Sequence, residues 1–230
     1  MKEVNLNLNQ AKFVKCQEQV IAFFGGIGNG KTFAGILKGI TRVMDPEQPP
    51  QLGMIARQTY PELRDSTQRT FFELVHLFGL LPGVHYDYKK QENRVIFKNG
   101  HEIIFRSLDD PAKLLSINLG WFYIDQAEEV SEEVFLTLLG RLRAVATPQC
   151  WITGNPLGHN WFGTDLYMIL SLETSYLMQK QRKTSTIYQK GTLTRSKRII
   201  MKYGSIVTCM EVGMPLKDRF ILTLNPVSML

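Results

Sequence analysis

The sequence predicts an α/β fold, with a mostly parallel sheet and helices on both faces. Three observations predict it. Short apolar runs of strand length alternate with longer helical stretches. The first run, Val20–Phe24, passes into a glycine-rich loop and then a helix from Lys31 to about Arg42. Two later runs, Trp121–Ile124 and Cys150–Thr153, end in Asp125 and in Gly154-Asn155-Pro156, small or acidic groups suited to the crevice at strand ends.

The remaining elements follow in order. Asp45-Pro-Glu-Gln-Pro-Pro50 is rich in helix breakers and reads as a loop, and Leu52–Ala56 as a second strand. Pro61–Leu80 reads as one helix, with apolar Leu63, Phe71, Leu74, Val75 and Phe78. Arg94–Phe97 and Glu102–Phe105 flank Asn99-Gly100, a hairpin signal. Glu132–Leu142 reads as a helix.

Composition excludes several classes. No apolar run approaches the roughly 18 residues of a membrane span, and the polar N-terminus lacks a signal-peptide core. Cys16, Cys150 and Cys209 form no metal-ligand spacing, nor do His76, His85, His101 and His159, and no Ser-His-Asp pattern is present. A reduced, cytosolic protein is expected. The net charge of +6 suggests nucleic acid, but residues 1–162 carry 17 Lys+Arg and 17 Asp+Glu. The excess lies in residues 163–230, with 10 Lys+Arg against 4 Asp+Glu.

Gly25-Gly26-Ile27-Gly28-Asn29-Gly30-Lys31-Thr32 fits the P-loop pattern GxxxxGK(S/T) at every position. Its glycines let backbone N–H groups turn toward phosphate oxygens, and the helix that follows adds its N-terminal dipole. Lys31 is then expected on the β- and γ-phosphates of a nucleoside triphosphate, and the Thr32 hydroxyl on Mg²⁺. Such a site needs an acid at the end of an apolar strand, and Asp125 supplies it as a second Mg²⁺ group. The following residue is Gln126 rather than Glu, so the water-activating base is expected at Glu128, with Glu129 as competitor. Thr153, Gly154 and Asn155, at a strand's C-terminal end, read either as sensors of the γ-phosphate or as a plain turn before Pro156. Arg57, Arg141 and Arg143 are candidates for the cation that offsets transition-state charge.

Together these residues resemble the ATPase domain of tailed-phage terminase large subunits. Leu6-Asn-Leu-Asn-Gln10 resembles the glutamine motif ahead of the P-loop, and Met54–Ser66 the segment after the second strand. Asp125–Glu129, Val134-Phe135 and Gly140–Arg143 resemble the Walker B region and the helix beyond it. Thr153-Gly-Asn-Pro156 resembles the coupling motif, and His159-Asn-Trp161 the stretch that follows. The motifs span residues 5–162. The resemblance implies ATP held by Gln10, Lys31 and Thr32, with Mg²⁺ near Thr32 and Asp125. It implies a homo-oligomeric ring in the host cytoplasm that drives double-stranded DNA into procapsids, with a small terminase subunit and a portal protein as partners and no membrane. Two alternatives stay open: another DNA-stimulated P-loop ATPase, such as a helicase or repair motor, or a remnant that binds nucleotide without turnover.

The family's C-terminal nuclease has no counterpart in the sequence, so nuclease activity is not expected of this chain. Residues 163–230 read as a basic tail that is out of frame or disordered. Shifted by one base, the codons for Ser205–Phe220 permit SHLYGGWYASEGQIY, a string that resembles the family's continuation, and one lost T at Phe162 would produce the shift. On that reading the final strands of the sheet are missing and the chain is poorly stable or inactive.

Overall fold

The computed structural model describes residues 2–155, residue 161 and residues 206–210 and 219–224. Strand β1 (Lys2–Asn7) leads into helix α1 (Leu8–Lys15). Asn7 starts the helix through a reciprocal capping box with Gln10. The P-loop lies between β2 (Val20–Phe24) and α2 (Lys31–Met44), as the sequence predicts. After β3 (Leu52–Arg57), one helical rod runs from Tyr60 to Leu77. It divides into α3 (Tyr60–Glu62), a π-helical segment (Leu63–Gln68) and α4 (Arg69–Leu77). The predicted single helix therefore has a wider turn in its middle. Strands β4 (Tyr86–Lys89), β5 (Arg94–Phe97) and β6 (Glu102–Ser107) follow. Then come β7 (Trp121–Asp125), α5 (Glu132–Leu139), β8 (Gln149–Gly154), β9 (Ile206–Met210) and β10 (Arg219–Leu224).

Eight strands form one sheet in the order β4-β5-β6-β3-β7-β8-β2-β9. From β6 to β9 every pairing is parallel, and β4–β5 and β5–β6 are antiparallel. β1 and β10 pair antiparallel as a separate two-stranded sheet. The expectation of missing final strands is corrected here, because β9 lies along β2 and β10 along β1. Ile206-Val-Thr-Cys-Met210 and Arg219-Phe-Ile-Leu-Thr-Leu224 are rich in β-branched and apolar residues, which favour strands. The rest of the region read as out of frame or disordered, like His159 and Asn160, lies outside the described residues.

The central strands are buried on both faces, so they read as continuous apolar runs. On one face, α1, α2 and α4 cover Ile21, Phe23, Ile55, Trp121, Tyr123 and Trp151. On the other, α5 and its flanking turns cover Ala22, Met54, Phe122, Ile124 and Ile152. Trp121 and Trp151 stack at 4.8 Å between ring centroids, and Tyr123 lies parallel to Trp151 at 6.2 Å. Two glycines one turn apart on α2 make room for these rings. A Cβ at Gly35 would lie 2.2 Å from the Tyr123 ring, and one at Gly39 would lie 3.1 Å from Trp121. Among the described residues no helix is long and apolar enough to cross a membrane.

Candidate nucleotide site

The crevice lies at the C-terminal ends of β2, β7 and β8. Strand β2 delivers the chain to Gly25, whose N–H donates to Gly154 O at 3.4 Å and ties the loop to β8. Gly28 (φ 84°) and Gly30 (φ 69°) take the left-handed backbone that glycine adopts most easily. Gly30 is also needed for space, since a Cβ there would lie 2.5 Å from Gln10 Nε2. That amide donates to Asn29 O at 3.2 Å and Gly30 O at 3.5 Å, while Gln10 Oε1 accepts from Asn7 N. Gln10 thus reaches from α1 onto the P-loop. Gly26 and Ile27 form the exposed tip, with Ile27 at 95% exposure.

Lys31 Nζ donates to Gly25 O at 2.8 Å, Gly26 O at 2.7 Å and Asn155 Oδ1 at 3.0 Å. The Asn155 amide donates in turn to Glu128 Oε1 at 3.0 Å. Lys31, Asn155 and Glu128 therefore form one chain across the crevice. The Thr32 hydroxyl meets Asp125 Oδ1 at 3.0 Å and Oδ2 at 3.1 Å. Asp125 is buried and also accepts from Thr153 Oγ1 at 2.9 Å, the Tyr123 hydroxyl at 2.9 Å and Thr67 Oγ1 at 2.8 Å. Burial, with Asp125 beside it, pushes the Tyr123 phenol well above its ordinary range, so it remains a proton donor.

The two neighbouring glutamates are held apart. Gln126 takes a left-handed backbone (φ 52°) and starts a short 3₁₀ turn over Ala127–Glu129. Its side-chain amide donates to Glu129 Oε1 at 3.2 Å. The Glu129 carboxylate also lies 3.9 Å from Arg57 Nε, which is 3.8 Å from Glu62. Partial burial, with Glu62 nearby, raises the Glu129 carboxyl above its ordinary value, and Arg57 opposes the shift. Glu129 belongs to the Arg57 group, and Glu128 to the Lys31 chain.

A family model described as phage terminase large subunit matches residues 17–194. The chain belongs to the phage terminase large subunit family. That match runs past Phe162, where the motifs read from the sequence stop. The PBSX phage terminase large subunit of Bacillus subtilis (strain 168) is 30% identical over 203 residues, covering 84% of this chain and 45% of that protein. The large terminase of a thermophilic bacteriophage, solved in complex with ADP, superposes with a TM-score of 0.63 at 18% identity, covering 73% of this chain and 43% of that one. The Thermus phage P74-26 large terminase ATPase domain gives a TM-score of 0.53 at 19% identity, covering 68% and 67%. Both structural likenesses speak to the fold alone. The chain spans less than half of the PBSX protein and of the terminase solved with ADP.

Not every candidate residue converges on this crevice. Arg57 stands beside it at the end of β3, paired with the two glutamates. Arg141 and Arg143 are at the opposite end of the sheet. Leu119 N donates to Arg141 O, and Arg143 Nε donates to Asn118 Oδ1 at 2.6 Å, just before β7 begins, whereas Asp125 is its last residue. Neither arginine can reach this chain's own P-loop. Tyr123 and Thr67 are the site residues that sequence reasoning missed. The strand period of two, which puts Tyr123 on the same face as Asp125, was the available signal for the first. Thr67 had none, because it lies 58 residues away along the chain.

Proposed function

We propose that this chain binds ATP with Mg²⁺ at Gly25–Thr32 and hydrolyses it, as the ATPase part of a motor that moves double-stranded DNA into procapsids. The observation that carries the reading is the side-chain chain from Lys31 through Asn155 to Glu128, set beside the Thr32–Asp125 pair. Lys31, the Thr32 hydroxyl, the Asp125 carboxylate and Glu128 thus stand around a glycine-rich loop, a set that suits a cation, a metal ligand pair and a base. The family membership supports the reading. So does the ADP complex of the thermophilic-phage terminase, which has this fold.

The residues fit a hard divalent ion. Asp125 and Thr32 present carboxylate and hydroxyl oxygens, the donors Mg²⁺ prefers. Among the described residues no cluster of three or more acidic, His or Cys side chains competes to hold a metal alone. When bound, Mg²⁺ supplies charge neutralisation on the β- and γ-phosphates. Lys31 exchanges its carbonyl partners for phosphate oxygens, and the glycine backbone orients the triphosphate. Glu128 takes the proton of the attacking water. Asn155, bonded to both Lys31 and Glu128, links phosphate capture to the position of that base. Arg57 holds Glu129 out of this role. Gln10, whose amide reaches the P-loop at Asn29 and Gly30, is the candidate contact for the adenine. A finger from Arg141 or Arg143 acts only on a neighbouring subunit's nucleotide.

The assay is phosphate release by the chain with ATP and Mg²⁺, alone, with linear duplex DNA, and with DNA plus portal-bearing procapsids. Stimulation by procapsids beyond DNA alone is expected for a packaging motor in the host cytoplasm. Stimulation by DNA alone would select a helicase or repair motor, and nucleotide binding with no release of phosphate a non-hydrolysing relative.

A further inference from the structure

Asp125 is surrounded by more hydroxyls than the recognised motifs supply. Thr32 belongs to the P-loop, and Thr153 to the end of β8. Tyr123 and Thr67 belong to neither. The Tyr123 hydroxyl lies 2.9 Å from Asp125 Oδ1 and 2.8 Å from Thr153 Oγ1, and Thr67 Oγ1 lies 2.8 Å from Oδ2. Tyr123, Thr153 and Thr67 are all at 0% exposure. They come from three separate elements, so their convergence on one carboxylate is a tertiary arrangement and not a local turn.

Each is held by its own backbone device. The pleat of β7 puts Tyr123 and Asp125 on one face, and the phenol reaches beneath α2 because residue 35 is glycine. Thr67 sits in the π-helical segment between α3 and α4. Such segments are rare and are often found at functional sites.

We infer that Tyr123 and Thr67 are positioning residues for Asp125, fixing the orientation in which its carboxylate and Thr32 meet the divalent ion of a bound nucleotide. This rests on the nucleotide reading proposed above. A carboxylate offers about four acceptor positions. Tyr123, Thr153 and Thr67 hold three, and only Thr32 is free to turn to an ion. The position so released lies beside Thr32, where the phosphates begin. Loss of either clamp lets the carboxylate rotate, which weakens the ion without touching the phosphate grip of Lys31. If the hydroxyls served only to satisfy a buried acid, their loss would lower stability and leave the ion requirement unchanged.

The test is binding of the fluorescent nucleotide mant-ADP to the full chain, titrated with Mg²⁺ and repeated in EDTA, with urea unfolding alongside. The proteins are the wild type, Tyr123→Phe, Thr67→Val and Thr67→Ser. The Mg²⁺ midpoint is expected to rise roughly tenfold in Tyr123→Phe and Thr67→Val, the scale of one lost charge-assisted hydrogen bond. Affinity in EDTA stays unchanged, and Thr67→Ser restores the wild-type midpoint. An unchanged midpoint in both variants, with earlier unfolding in urea, overturns the inference while the nucleotide reading stands. No binding of mant-ADP by the wild type overturns that reading as well.

Discussion

The two ends of the parallel sheet each carry a buried polar network, and they are built from different chemistry. At the C-terminal end, Asp125 gathers hydroxyls, while Lys31, Asn155 and Glu128 form a line along the crevice. At the N-terminal end, Arg42 donates to Gln149 Oε1, Gln51 Oε1 and Thr147 O, and Gln149 donates to Cys16 O and Glu18 O. Lys38 caps Val14 O and Cys16 O. Helix α2 serves both ends, Lys31 and Thr32 at its start and Lys38 and Arg42 further along. Cations near a helix C-terminus, satisfied by amides and carbonyls, hold strands in place. A carboxylate held by hydroxyls, beside a lysine held by loop carbonyls, presents groups that on the proposed function exchange these partners for a triphosphate and its metal. The N-terminal network is a lock; the C-terminal one is, on the proposed function, a receptor.

The contrast can be broken most severely at Glu128. Glu128→Gln is expected to lower kcat for ATP hydrolysis roughly 10²- to 10⁴-fold, the usual contribution of a general base. Nucleotide affinity should hold, and Glu129→Gln should leave the rate nearly unchanged. Equal losses in both would show that the two glutamates are not separated as described. Next comes the lock: Arg42→Met strands two buried acceptors, Gln149 Oε1 and Gln51 Oε1, and is expected to cost about 2–4 kcal/mol. Urea midpoints measure this, and nucleotide affinity in the folded fraction should match the wild type.

Acid sharpens the same distinction. His101 is buried at the N-terminal end, and burial lowers its imidazole below the ordinary value of 6.5, with Arg42 adding to the shift and a backbone bond at Gln48 opposing it. The fold therefore favours the neutral ring. Its contribution to stability is present above the ordinary value and is lost as pH falls through the lowered one. Urea midpoints of the wild type should drop below about pH 6.5, and His101→Gln should flatten that drop. The smallest effect belongs to Arg143→Ala. Nucleotide affinity of isolated subunits should not change, because the residue sits at the far end of β7 from Asp125.

Elements fixed by their own residues were legible in the sequence. Val20–Phe24, Trp121–Asp125 and Gln149–Gly154 are buried on both faces, and so read as apolar runs. Asn99-Gly100 announces the β5–β6 hairpin. Strand β4 was not legible because Tyr86-Asp-Tyr-Lys89 alternates at a sheet edge and mimics a loop. Gly35 and Gly39 look like flaws in a helix. Their purpose, room for Tyr123 and Trp121, exists only once β7 lies beneath α2. In the site, the P-loop and Asp125 stood out because glycine spacing and a strand-ending acid are local patterns. The place of Thr67 and the separate partners of Glu128 and Glu129 depend on residues far along the chain, Asp125, Asn155 and Arg57.

The wide turn at Leu63–Gln68 makes the length of this helical rod a functional quantity. Each residue added to or removed from an α-helix turns everything beyond it by about 100°. Deleting one residue ahead of Thr67 would let the rod relax into an ordinary helix, and its apolar face could be recovered by a modest slide. The threonine hydroxyl would then point away from Asp125, although every residue type in the site was unchanged. Among terminases aligned on this rod, a one-residue gap is therefore expected to travel with a different side chain opposite the acid.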